Sequence, residues 1–310
     1  SIFVVAAYVI YSELLKNKES LNFNSVLHKL KSFNGIMILI IVFIGQFVNW
    51  WLESLKFRVL VSKTESINKW DAVKSVYAGN AIGVLTPNKT GTFIGRALFL
   101  QDKDTVAIVS STILGNVAQL TTTALFGFIG YLMIVSFGTQ LNFIDQNFPL
   151  YGLLISFILV CLMGLLFLNP SFVYQLALKL PLVSKFADRI SYFKYFNKHE
   201  LFTVLAFSIL RYLVFALQFI LLLNLLNADI TILSLCSFIC VLYMIVTFIP
   251  SPFMGNLGTR EAVVLILLAN YNSAAEVLSA SIILWVINIA FPAILGSLIF
   301  LFNKVKLKRV

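Results

Sequence analysis

Charged residues are scarce in this chain. Asp, Glu, Lys and Arg make up 12% of its 310 residues, about half of the roughly 25% that is usual in soluble domains. This scarcity excludes a separate soluble domain of any size. Several apolar runs instead reach about 20 residues, the length that crosses the hydrocarbon of a bilayer as a helix. The sequence therefore predicts an all-α polytopic membrane protein.

Side chains for catalysis and metal binding are scarce as well. The chain has 2 histidines and 3 cysteines. His28 and His199 fall on amphipathic segments that we assign to the membrane interface, and the cysteines lie in apolar runs without a neighbouring His or carboxylate. The chain also lacks the Gly-rich Walker motif that cradles nucleotide phosphates. We expect no catalytic constellation, no metal site and no cofactor.

The positive charge is concentrated in connecting segments, where it indicates orientation and contact with anionic lipids rather than nucleic-acid binding. The net charge is +10. Segments 56–74, 96–103, 179–198 and 304–309 are basic and are predicted to be cytoplasmic, whereas 138–149, 227–230 and 270–276 contain no Lys or Arg and are predicted to be external. Lys29 and the lysines near it do not fit this count. They lie between the first two predicted helices, in a connection that the other segments place outside. The count places the C-terminus in the cytoplasm.

Residues 77–100 form the most unusual apolar stretch. Pro87, Gly91 and Gly95 interrupt it, and proline and glycine break a helix or permit sharp turns. Lys89 and Arg96 flank the break, and cations at membrane depth usually face a cavity or a partner. We predict a helix–break–helix element that lines an anion-attracting cavity. The alternative is an ordinary cytoplasmic loop.

A second stretch, residues 249–268, has the same order of features. It contains breaks at Pro250, Pro252, Gly255 and Gly258, followed by Arg260 and Glu261. We predict about 7–8 transmembrane helices plus two re-entrant elements in one membrane domain, residues 1–310. Its pseudo-repeat halves, 35–137 and 200–302, are joined by 138–199 and are inverted, as in many transporters. The alternatives are a chance likeness between two Pro/Gly turns, or full crossings by 230–249 and 259–270.

The apolar helix predicted at 105–137 carries a polar stripe. Its members are Thr112, Asn116, Gln119, Thr122 and Thr123. Small and hydroxyl-bearing residues at such spacing pack helices closely, and they also suit a cavity wall. Both interpretations stay open, and Asn116 and Gln119 are candidate binding residues.

Together, these two broken stretches resemble the lysylphosphatidylglycerol synthase transmembrane-region family, the flippase-like membrane half of bacterial multiple-peptide-resistance proteins and its stand-alone relatives. The matching positions are Pro87, Lys89, Gly91 and Arg96 in the first motif, and Pro252, Gly255, Gly258, Arg260 and Glu261 in the second. The chain departs from the family pattern at Thr92, where a Glu is usual, and at Gly115, Asn116 and Gln119, where relatives often carry charges. A mechanism that needs those charges is not expected here.

The resemblance implies a lipid flippase in the bacterial cytoplasmic membrane, one that moves an anionic phospholipid or a lipid-linked sugar between leaflets. Arg96 and Arg260 are the predicted headgroup clamps, together with Lys89, and Glu261 is the predicted counter-charge of Arg260. The expected partners are membrane lipids, with a lipid synthase or glycosyltransferase as a further one. The alternatives are a scaffold subunit for such an enzyme, or a membrane enzyme acting on lipid-linked substrates. The aminoacyl-transferase domain of the fused relatives is absent from this sequence, so we do not carry that activity over.

Overall fold

The computed structural model describes residues 23–100, 103–137, 148–179, 190–191, 196–226, 230–249, 256–268 and 273–302. This part of the chain contains helices and no strand, which confirms the predicted all-α class. The helices are α1 Phe23–Lys31, α2 Phe33–Val61, α3 Lys69–Val84, α4 Gly91–Phe99, α5 Thr105–Phe137, α6 Phe148–Leu168, α7 Pro170–Leu178, α8 Lys198–Leu225, α9 Ile232–Phe248, α10 Thr259–Leu268, α11 Ala274–Trp285 and α12 Phe291–Phe302.

Five helical units are long and apolar enough to cross a bilayer, judged by length and composition within the described residues. They are α2, α5, α6, α8 and the continuous unit formed by α11 and α12. α9, with 17 residues, is shorter, and the predicted first helix at 2–15 lies outside the described residues. A multi-pass membrane protein is therefore supported, while the count of 7–8 crossings stays a prediction.

Polar caps determine where several of these helices begin. The Asn68 side chain accepts a hydrogen bond from the Asp71 N–H at 2.8 Å at the start of α3. Reciprocal capping boxes, Asn197 with Glu200 and Ser273 with Glu276, begin α8 and α11. Such caps satisfy N–H groups that the first helical turn leaves without a partner. The helices thus begin where the apolar runs meet Asn or Ser.

At one end of the bundle, ion pairs join segments that are distant in the chain. Lys63 after α2 contacts Glu200 at 2.6 Å, and Lys103 before α5 contacts Glu65 at 3.3 Å. The segment that carries α3 and α4 runs from residue 69 to 99, so both of its ends lie at this end of the bundle. We call it the Glu65 end.

The opposite end is joined by Lys29. Its ammonium contacts Glu276 at 2.7 Å and donates to the Leu226 carbonyl at 3.3 Å. Since α9 follows Leu226 and α10 precedes Glu276, both ends of the α9–α10 segment lie at this Lys29 end. Lys29 is one of the lysines that do not fit the charge count, and the structure pairs it with a carboxylate.

The first broken element is a tight helical hairpin of α3 and α4. Pro87–Lys89 form a single turn, and Asn88 and Lys89 have φ angles of 50° and 57°. Thr86 supports the turn, since its hydroxyl donates to the Gly83 carbonyl at 3.0 Å and accepts from the Gly91 N–H at 2.6 Å. The structure thus has the helix–break–helix arrangement that the sequence predicts.

The second broken element lies between α9 and α10. Asn256 and Gly258 have φ angles of 70° and 88°, a region that side chains with a Cβ seldom adopt. The Asn256 amide reaches back to the Val246 carbonyl at 3.4 Å. The predicted breaks at Pro250, Pro252 and Gly255 lie outside the described residues.

Gly95→Ala tests the packing of the first hairpin. A Cβ at Gly95 would lie 2.7 Å from the Gly79 Cα and 2.8 Å from the Ala78 carbonyl oxygen, and backbone cannot yield cheaply. We expect a loss of about 1–3 kcal/mol, typical of overpacking, measured as a lower Tm of the purified protein. Gly164→Ala is the matched control, because a Cβ there meets nothing within 4 Å. Equal Tm values for the two variants would contradict the packing argument.

Candidate functional site

The two broken elements meet at a half-open cavity of about 240 Å³. Lys89 lines it from the first break, and Asn256 and Arg260 line it from the second. The long helices α2, α5 and α8 contribute Asn49, Gln119 and Arg211 to the wall. Elements that enter from opposite ends of the bundle therefore share one polar space.

Glu53 is the centre of a buried charge cluster beside this cavity. Its carboxylate contacts Lys56 and Arg96 at 2.7 Å each, and it also pairs with Arg211. These partners come from α2, α4 and α8. Glu53, Lys56 and Arg96 are each less than 5% exposed. One carboxylate thus joins three helices.

Hydrogen bonds complete the cluster. Arg211 donates to the Asn49 amide oxygen at 2.8 Å and to the Gln119 amide oxygen at 3.3 Å. Lys56 donates to the Gly115 carbonyl at 3.2 Å. Arg96 also packs over the Phe57 ring, 4.6 Å from its centroid. These bonds orient the cations but add no negative charge.

A second buried pair lies on the other side of the cavity. Arg260 donates to Glu261 at 2.6 Å and, through Nε, to the Ser281 hydroxyl at 2.9 Å. Glu261 also accepts from the Gly258 N–H at 2.6 Å and from the Ser281 hydroxyl at 2.7 Å. The predicted pairing of Glu261 with Arg260 is present, and this pair is electrically neutral.

Positive charge is in excess around the cavity. Lys89, Arg211 and Arg260 line it, Lys56 and Arg96 lie behind the wall, and Glu53 and Glu261 oppose them. Five cations against two carboxylates leave three positive charges. Lys89 has no carboxylate partner in the part of the chain that the structure describes. Such an arrangement attracts an anion, and arginine can grip a phosphate through two parallel hydrogen bonds.

The predicted site residues occupy different positions. Lys89, Arg260 and Gln119 line the cavity, and Glu261 supports Arg260. Arg96 lies behind the wall against Glu53, and Asn116 is exposed elsewhere on α5.

The polar stripe of α5 divides between the two roles considered for it. Thr112 and Thr122 are buried and donate to carbonyls of their own helix at 2.8 and 3.0 Å, as packing residues do. Gln119 and Thr123 line the cavity. The stripe therefore serves both close packing and the cavity wall.

Sequence reasoning missed Glu53 and Asn49, and it assigned no site role to Lys56 or Arg211. A usable signal was present, because Glu53 and Lys56 stand three residues apart within an apolar helix, where charges are expensive.

Among the described residues, no group of three or more His, Cys, Asp and Glu side chains forms a candidate metal site.

A model of the lysylphosphatidylglycerol synthase TM region family matches residues 1–296. The chain belongs to this family, as its two motifs suggested. No curated protein matches the chain. The membership supports a membrane protein related to lipid metabolism or transport.

Glu53→Gln should destabilise the protein strongly, because it leaves three buried cations without their shared carboxylate. Breaking a buried ion pair on one side typically costs about 3–5 kcal/mol. Adding Lys56→Met should recover part of the loss, since it returns the local net charge to its original value. Thermal unfolding of the purified variants measures both effects.

Lys63→Gln is the control for this experiment, because it breaks the partly exposed pair with Glu200. Such pairs contribute about 0–1 kcal/mol. A Glu53→Gln variant as stable as Lys63→Gln would refute the central role of the cluster.

Proposed function

We propose that this family member is a lipid flippase of the bacterial cytoplasmic membrane. It moves an anionic phospholipid or an anionic lipid-linked sugar between the leaflets, with its C-terminus in the cytoplasm. The observation that carries the proposal is the cavity where two helix breaks meet under an excess of positive charge. Helix breaks that enter from opposite sides and meet at a binding site are typical of transporters.

Charge defines the class of headgroup. Lys89, Arg211 and Arg260 line the cavity, and together they favour a phosphate. A lysyl ester on the same phospholipid adds ammonium groups, which would face three uncompensated positive charges. The cavity of this chain therefore suits the unmodified anionic lipid rather than the cationic aminoacylated one.

Cavity size supports transport of the headgroup alone. Pockets that bury a drug-sized ligand span about 300–1,000 Å³, and this cavity has about 240 Å³. It accommodates a headgroup and leaves the acyl chains outside. The chains stay in the hydrocarbon while the polar headgroup crosses through protein.

Lys89→Gln is the variant that tests the proposal most directly. Lys89 lines the cavity without a carboxylate partner among the described residues, so its loss should spare the fold. A hydrogen bond to a charged group is worth about 1.5–3 kcal/mol, which corresponds to roughly a 10- to 100-fold loss of headgroup affinity or flux. The assay is dithionite quenching of fluorescent phosphatidylglycerol in proteoliposomes. Lys89→Arg should keep most of the flux.

Lys103→Gln is the matched control. Lys103 pairs with Glu65 at the end of the bundle, so this variant should transport lipid at the wild-type rate.

Lysyl-phosphatidylglycerol should compete poorly with the fluorescent lipid. A scaffold subunit predicts no flux from the wild-type protein, and an enzyme predicts chemically altered lipid. Wild-type flux in a folded Lys89→Gln, Arg260→Gln double variant would end the proposal.

A further inference from the structure

We propose that an apolar groove between α2, α3 and α12 is the binding site for an acyl chain of the transported lipid. The wall between this groove and the cavity would then be the passage for the headgroup. The inference rests on the proposed function and names the side of the protein at which the lipid enters.

The groove has a volume of about 400 Å³ and an almost wholly apolar lining. Phe47 lines it from α2, Val73 and Tyr77 from α3, and Leu295, Leu298 and Phe302 from α12. α2 and α12 belong to helical units that are long and apolar enough to cross a bilayer, so the ligand available to a groove between them is hydrocarbon. We therefore assign the groove to a lipid acyl chain.

A pair of aromatic side chains in contact connects the lining of the groove to the lining of the cavity. Trp50 lines the cavity, Tyr77 lines the groove, and the centroids of their rings are 5.7 Å apart. A lipid whose chain lies in the groove therefore has its headgroup next to this aromatic pair. Displacing the pair would join the two spaces.

The polar groups of this wall are incompletely paired. Gln46 is fully buried and donates to the Tyr77 hydroxyl at 3.3 Å, but its amide oxygen has no partner among the described residues. The same holds for the amide oxygen of Asn288, which is 3% exposed. Unpaired buried polar atoms make the closed wall less stable. They also offer hydrogen bonds to a headgroup that passes between them.

The helix opposite Trp50 is itself interrupted. Val286–Ala290 form a π-helical turn in which the Phe291 N–H donates to the Val286 carbonyl, and Pro292 after it has no N–H to donate. Side chains use the carbonyls of this turn: Trp50 donates to Asn288 at 3.2 Å, and Asn80 donates to Ile289 at 3.3 Å. Two side-chain hydrogen bonds thus hold the wall to this turn, and both can break without unwinding a helix.

Photolabelling tests the acyl-chain site without depending on transport. Phosphatidylglycerol with a diazirine in its acyl chain is irradiated in proteoliposomes, and the labelled peptides are mapped by mass spectrometry. We expect adducts enriched on residues 70–77 and 295–302. Val73→Trp fills the groove and should lower this labelling at least fivefold. Leu154→Trp on α6, where Leu154 is 55% exposed, should leave it unchanged.

The outcomes separate this inference from the proposed function. Groove labelling by a protein without flux would support the acyl-chain site and refute the flippase. Flux with labelling spread evenly over the exposed face of α6 would refute the groove alone. Circular dichroism and gel filtration confirm that the Val73→Trp protein is folded, so that a loss of labelling reports on the groove.

Gln46→Leu tests the wall. Removing the unpaired amide should raise the Tm by a few degrees and slow flux at least threefold, because the closed wall becomes more stable. Gln218→Leu is the matched control, since Gln218 on α8 is also a buried glutamine whose amide oxygen has no partner among the described residues, but its amide donates to the Val42 carbonyl at 2.6 Å rather than to Tyr77. Equal flux in Gln46→Leu and wild type, with Tm raised, would show that the wall does not limit passage.

Discussion

The pairing of one buried carboxylate with three cations is the interaction on which the rest of the structure depends. Glu53 joins α2 to α4 and α8, so it fixes the first hairpin against the long helices. Cations at membrane depth are unfavourable without a counter-charge. One carboxylate cannot neutralise three cations, and Arg211 of the cluster lines the cavity together with Lys89. The same interaction that stabilises the bundle thus makes the cavity attractive to anions.

The two halves of the site differ in their electrostatics. Arg260 and Glu261 form a neutral pair that is hydrogen-bonded to Ser281 and to the Gly258 N–H, which suits a rigid support. The Glu53 cluster and Lys89 carry the excess charge. Most of the attraction for an anion therefore comes from Lys89 and the Glu53 cluster rather than from the Arg260–Glu261 pair.

Sequence reasoning found the breaks because proline, glycine and cations are rare and costly inside apolar runs. It could not pair Arg96 with Glu53, since 43 residues separate them and the pairing depends on how each helix is rotated. Asn116 and Gln119 show the same difficulty. They are separated by about 60° around one helix, yet Asn116 is exposed and Gln119 lines the cavity. Pro292 was a readable signal for the π turn, whereas the contact of that turn with Trp50 required the tertiary structure.

The position of Lys89 and Arg260 suggests how binding an anion would act on the protein. Lys89 lies on the turn of the first hairpin, and Arg260 lies at the start of α10 beside the second break. Lys89 has no carboxylate partner among the described residues, whereas Arg260 is paired with Glu261. A phosphate between the two residues would give each of them a further charge-assisted hydrogen bond. Since the two elements enter from opposite ends of the bundle, drawing Lys89 and Arg260 together would couple occupation of the cavity to the relative movement of the two elements.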